Sequence, residues 1–146
     1  MHQNNMMAEF EMAIRRMREE LTQKGIKELK TPADVDAELK DQKGTTLLFV
    51  NSVCGCAAGA ARPGLNLALS RSKALPKKVV TVFAGQDKEA TIKARSYFPE
   101  IPPSSPSAFL FKDGKVVAAV PRSHIEGANP EAVAKELTQI FEQHCG

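Results

Sequence analysis

TTLLFVNSVCGCAAGAARPGLNLALS, residues 45–70, opens with a β-branched and apolar run and changes character at a Cys-Gly-Cys element. Thr45 to Val53, bounded by Gly44 and Cys54, has the composition of a strand buried on both faces. The Ala-rich segment that follows predicts a helix from about Cys56 to Ser70. Pro63 lies inside it, lacks a backbone donor and is expected to kink it. The two cysteines therefore fall at the junction of a strand and the helix it feeds.

The pattern repeats on the C-terminal side. Val79 to Ala84 is a second apolar run, and Gly85-Gln86-Asp87 follows it, with Asp87 as the cap of a helix turning Ala90, Ala94, Tyr97 and Phe98 inward. Strand, helix, strand and helix in this order imply parallel pairing with right-handed crossovers. PEIPPSSPS, residues 99–107, is too proline-rich for regular structure. Beyond it, Ala108–Phe111 and Val116–Val120 flank Asp113-Gly114, a hairpin signal. Asn129-Pro130 starts a last helix that buries Val133, Leu137, Ile140 and Phe141. On the N-terminal side, Met7, Phe10, Ile14, Met17 and Leu21 share one helical face, which reads as a packing face, and the helix should end at Gly25. Thr31-Pro32 caps a short helix with Val35 and Leu39 inward.

Composition narrows the class. With 146 residues, 42% hydrophobic and 25% charged, the chain is expected to form a single domain over residues 1–146. There is no Trp and one Tyr against seven Phe, so the core rests on Leu, Val, Ile, Ala and Phe. Twenty Lys and Arg against seventeen Asp and Glu give a net charge of +3, and the basic residues are scattered, which argues against nucleic acid as a partner. No apolar run approaches the roughly 18 to 20 residues of a membrane span. The N-terminus lacks the basic and apolar regions of a secretory signal, so the cytosol is the expected compartment. Neither a GxGxxG nor a P-loop pattern is present, which disfavours nucleotide binding.

Three cysteines, an odd number, argue against a closed disulfide framework and for cysteine chemistry. Cys54 stands just before the first helical turn, where free N–H groups and the helix dipole favour a thiolate. Cys56, further into that turn, suits a resolving thiol, and Gly55 permits the unusual backbone that a bridge between residues two apart demands. A rival from another class is metal binding by Cys54 and Cys56 with His144 and Cys145 as further ligands. Adjacent residues on a helix diverge, and Cys-x-Cys is tighter than most zinc knuckles, so no metal is expected. Cys145 reads as a terminal thiol, and His2 and His124 as surface residues.

The element order, with the cysteine pair at the first strand–helix junction, resembles the thioredoxin superfamily. SPSAFLFKDG (residues 105–114) resembles its segment in which a cis-proline opens the strand leading to the hairpin. Pro106 would be that residue, with Pro102 and Pro103 as alternatives. More specifically, VNSVCGCAAGAARPG (50–64), TVFAGQDKEAT (81–91), PSSPS (103–107) and PRSHIEG (121–127) resemble the bacilliredoxin family. That resemblance implies an α/β thioredoxin-like fold: a central mixed four-stranded sheet flanked by helices, with an added N-terminal helix. It implies thiol-disulfide exchange at Cys54 and Cys56 that removes bacillithiol from S-bacillithiolated proteins. No cofactor would be bound, and bacillithiol or a related low-molecular-weight thiol would be co-substrate. General protein disulfide reductase or isomerase activity is the alternative. Ser105 and Pro106 would face the substrate, and Arg122, helped by Arg62, would anchor the dicarboxylate malate unit of bacillithiol. Val53 stands where ordinary thioredoxins carry Trp.

Overall fold

The computed structural model describes residues 2–146, with side chains described from residue 5 onward, so the side chain of His2 lies outside the described residues. The elements are α1 (His2–Thr22), β1 (Lys27–Glu28), α2 (Pro32–Leu39), β2 (Thr45–Asn51), a π-helical segment (Ala57–Ala61), α3 (Arg62–Arg71), β3 (Lys78–Phe83), α4 (Lys88–Arg95), β4 (Ser107–Lys112), β5 (Lys115–Val120), α5 (Arg122–Ile125) and α6 (Pro130–His144). The sheet runs β1-β3-β2-β4-β5. β1 and β2 lie parallel to β3, whereas β4 is antiparallel to β2 and to β5.

β2 is central, and its alternation divides the core. Leu47 and Phe49 join Leu110, Leu65, Val133, Leu137 and Phe141 on the face covered by α3 and α6. Leu48 and Val50 join Val80, Val82, Phe98, Phe109 and Phe111 on the face covered by α2 and α4. Each such side chain, removed from water, contributes on the order of 1.5 to 3 kcal/mol. Burial on both faces explains why β2 carries no alternation of apolar and polar residues.

The sheet has five strands where four were expected. The extra one, β1, is a two-residue edge strand of Lys27 and Glu28, too short and too polar to show a period-two pattern. Pro63 falls in the first turn of α3, where its missing donor costs little, and the expected kink becomes a change of winding from π to α at Arg62. Asp87 precedes α4 without capping it. Its carboxylate accepts instead from Arg18 at 2.7 Å, and that guanidinium also bonds Glu28 and lies over the Phe83 ring. Thr31 and Asn129 cap their helices as expected, accepting from Asp34 N and Ala132 N.

The first helix corrects a second expectation. Ile14 and Leu21 pack inward, but Met7 and Phe10, on the same stripe, are 63% and 57% exposed. α1 turns back at Gly25, and its Arg18 side chain reaches the carboxyl end of β3, so its earlier turns outrun the layer that covers the later ones. The stripe is a packing face only in its second half.

Candidate active site

Asn51 ends β2, and the chain then turns through Ser52 and Val53 to Cys54. Two polar anchors hold that turn. Asn51 Oδ1 accepts from the Ser52 backbone N–H at 2.9 Å, and Arg62 Nη1 donates to both Asn51 Oδ1 at 3.0 Å and the Ser52 carbonyl at 2.8 Å. Arg62 Nε donates to Glu20 Oε2 at 3.0 Å. The Arg62 side chain is only 1% exposed. It therefore cannot meet a ligand from solvent, and the substrate-anchoring role expected for it is corrected: Arg62 is a buried brace between α1, α3 and the cysteine turn.

The Cys54 carbonyl accepts from Ala57 N–H at 3.1 Å and Ala58 N–H at 3.3 Å, which places Cys54 where the helical winding begins. Its own N–H donates to Ser52 Oγ at 3.3 Å. The Cys54 and Cys56 sulfurs stand 2.7 Å apart as free, half-buried thiols. Burial pushes the Cys54 thiol up. That is outweighed by hydrogen bonds from Cys56, Ser52 and the Ala57 N–H together with the charge of Arg122, so Cys54 sits below the ordinary thiol value. Cys56 goes the other way, raised by burial and then by donating to, and standing beside, the Cys54 sulfur. The two thiols are thus biased in opposite directions, Cys54 toward losing its proton and Cys56 toward keeping it.

A second loop closes on this turn. β4 is antiparallel to β2 with Ser107 opposite Val50, so the residues before Ser107 stand at the carboxyl end of β2. The Ser105–Pro106 bond there is cis, while Pro102 and Pro103 are not. The Ser104 carbonyl accepts from Ser107 Oγ at 2.8 Å and from Arg95 Nη2 at 3.2 Å. Arg122, first residue of α5, donates from Nη1 to the Ser105 carbonyl at 3.0 Å and from Nε to Glu126 at 3.2 Å. Val53 is 46% exposed beside this mouth.

His144 and Cys145 do not join the pair. Cys145 lies beside Thr45 at the amino end of β2, and burial raises its thiol. Cys54 follows the other end, so roughly 20 Å of strand separates them. That geometry overturns the alternative of a four-ligand metal site. Among the described residues, no group of three or more His, Cys, Asp and Glu side chains is placed to hold a metal ion. His124 is half-exposed and pairs with Glu136.

A family model described as disulphide isomerase matches residues 10–145. A bacilliredoxin of Halalkalibacterium halodurans is 52% identical over 129 residues, spanning 88% of this chain and 89% of the relative. One of Symbiobacterium thermophilum is 54% identical over 130 residues, spanning 89% and 91%. The chain belongs to the bacilliredoxin family. Solved structures add the fold: a protein described as having a thioredoxin fold aligns with a TM-score of 0.58 at 17% identity over 75% of this chain and 91% of its own. A thioredoxin variant from Halobacterium salinarum does so at 0.57 and 15% identity, over 82% and 90%. The molecule is thus a thiol-disulfide oxidoreductase of thioredoxin-like fold. No helix among the described residues is long and apolar enough to cross a membrane.

Sequence reasoning missed several residues of this bacilliredoxin site. Glu20 lies in no quoted motif, and Asn51 and Ser104, though inside the 50–64 and 103–107 segments, were given no role there. One signal was present: an arginine in the Ala-rich run after Cys56 must find acceptors if that run is buried, and Asn51 and Ser52, at the end of the preceding strand, were within reach of it.

Proposed function

We propose that this chain removes low-molecular-weight thiol caps, bacillithiol foremost, from capped protein cysteines of the cytosol, with Cys54 as nucleophile and Cys56 as resolving thiol. What supports this is the opposed bias within one sulfur pair, Cys54 held toward the thiolate and Cys56 toward the thiol at 2.7 Å. The Cys54 thiolate attacks the cap sulfur of the client's mixed disulfide. A bond forms between Cys54 and the cap, the bond from cap to client breaks, and the client sulfur leaves as a thiolate that takes up a proton. Ser105 and Pro106 border the approach of that disulfide.

Release follows from the same coupling. Once Cys54 carries the cap, the negative charge beside Cys56 is gone, and with it the contributions that raised Cys56 beyond burial alone. Cys56 then loses its proton more readily, attacks the Cys54 sulfur and expels the cap as a thiol, leaving a Cys54–Cys56 disulfide. Thiol co-substrate reduces that bond. Alternatively, a free thiol attacks the cap sulfur on Cys54 directly, leaving as a small disulfide and restoring the Cys54 thiol.

Mass spectrometry of variants mixed with a capped client tests the assignment. Cys56→Ser is expected to accumulate a stable adduct on Cys54, and Cys54→Ser to carry none and leave the client capped. An adduct on Cys54→Ser but not on Cys56→Ser reverses the roles. The disulphide-isomerase description of the matching family model favours a second reading, rearrangement of protein disulfides by the same pair. It prevails if uncapped, mispaired clients are turned over faster than capped ones.

A further inference from the structure

We propose that Arg122 makes the site selective for thiol caps that carry a carboxylate; this rests on the cap-removal reading above. Arg122 opens α5 directly after Val120 and Pro121, and β5 pairs Val120 with Ala108, two residues past the cis bond. Its backbone N–H lies 3.4 Å from Ser104 Oγ, and its Nη1 donates to the Ser105 carbonyl at 3.0 Å. The head group is thus pinned to the loop that closes on the cysteine turn. Its positive charge favours the thiolate form of both the Cys54 and Cys56 sulfurs.

The other arginines nearby are committed elsewhere. Arg62 is buried with its donors spent on Glu20, Asn51 and Ser52, and Arg95 turns to the Ser104 carbonyl. Arg122 keeps 41% of its side chain exposed. Protein acceptors take Nε and one hydrogen of Nη1, and no protein acceptor meets Nη2 among the described residues. A guanidinium presents its donors as a planar fork, and the open edge matches the two oxygens of a carboxylate. Glu126 is the anionic side chain in contact with this head group, so it both orients the fork and competes for it.

The Ser105 contact also bears on what is selected against. An extended peptide docking beside the cysteines by backbone pairing would need exposed carbonyls on this loop. Arg122 already takes one of the two lone pairs on that of Ser105. A client chain meets a partly engaged acceptor there, while a small anionic cap gains a cation. The site accordingly gives more recognition to the cap than to the backbone of the protein that bears it.

The test uses one neutral cysteine peptide capped in turn with mercaptosuccinate, 2-mercaptoethanol and cysteamine, so that only the charge of the cap changes. The intact chain is expected to show kcat/KM falling in the order anionic, neutral, cationic, with the anionic advantage shrinking as salt rises past a Debye length of about 8 Å. Arg122→Ala should cut the rate on the anionic cap by about tenfold or more and on the neutral cap by much less, a ratio that a mere effect on the Cys54 thiolate cannot produce. Arg122→Lys should fall between them, and Glu126→Gln should raise the preference for the anionic cap by freeing the fork. Equal losses on all caps, or a preference unmoved by any variant, overturns the proposal while leaving cap removal at Cys54 intact. Failure of the unaltered chain to remove any cap overturns the underlying reading instead.

Discussion

Cys54 shows how little a residue's type says without its neighbours. Its burial alone would make it an inert thiol, and the thiolate is favoured only because a donor sulfur, a hydroxyl, a backbone N–H and a cation converge on it. The dependence is testable by the pH profile of its alkylation. The rate should rise through a midpoint below that of an ordinary thiol. Cys56→Ala should move the midpoint up, because the hydrogen bond is lost, whereas Cys56→Ser keeps an O–H donor and should move it less. Arg62 makes the converse point. Truncation to Ala leaves the Ser52 carbonyl and Glu20 without the Arg62 donor and Asn51 Oδ1 with only the Ser52 N–H, with an expected cost of about 3 kcal/mol in denaturant unfolding. Exchange at Cys54 should slow alike for anionic and neutral caps, since the residue holds a turn and touches no ligand. Motif and position made Cys54, Cys56, Pro106 and Arg122 candidates, and the structure brings the segments that carry them to the carboxyl end of β2. Sequence reasoning misassigned Arg62 because an arginine near a cysteine pair looks the same on paper whether its head group faces water or the core.

The elements were legible where composition, length and bounding turns agree: β2 and β3 as short β-branched runs ended by turn residues, the hairpin through Asp113-Gly114, and α6 through its helical period and Asn129-Pro130 start. The parts that stayed hidden are those set by contact between elements. The π winding of Ala57–Ala61 and the start of α3 at Arg62 bring Gly64 against α6, where a Cβ would stand 2.6 Å from Val133 Cβ and Cγ1 and 3.0 Å from the Pro130 carbonyl. Gly64→Ala should therefore destabilise by about 1 to 3 kcal/mol despite its better helix propensity. Val133→Ala removes Cγ1 but keeps the clashing Cβ, so it should relieve the double variant only in part. The stripe on α1 predicts an equally sharp contrast. Leu21→Ala should cost about 2 to 5 kcal/mol, whereas Phe10→Gln should stay within about 0.5 kcal/mol, both read from urea midpoints. A periodic stripe says that a helix has an apolar face but not how far the neighbouring layer extends beneath it.

At the scale of the whole molecule, the sheet separates the Cys54–Cys56 pair from the third cysteine by the length of its central strand. That separation gives the chain a parity. Alkylation under denaturing conditions tags every free sulfur, and Cys145 has no partner within reach along the same chain, so it is always tagged. The resting protein should then carry an odd number of tags, whether its pair is reduced or closed as a disulfide. A cap on Cys54 with Cys56 still free breaks the rule and yields an even number. Intact-mass spectra of protein drawn from cells could therefore count the captured intermediate directly, with the sulfur at the far end of the fold as the tally mark against which the others are read.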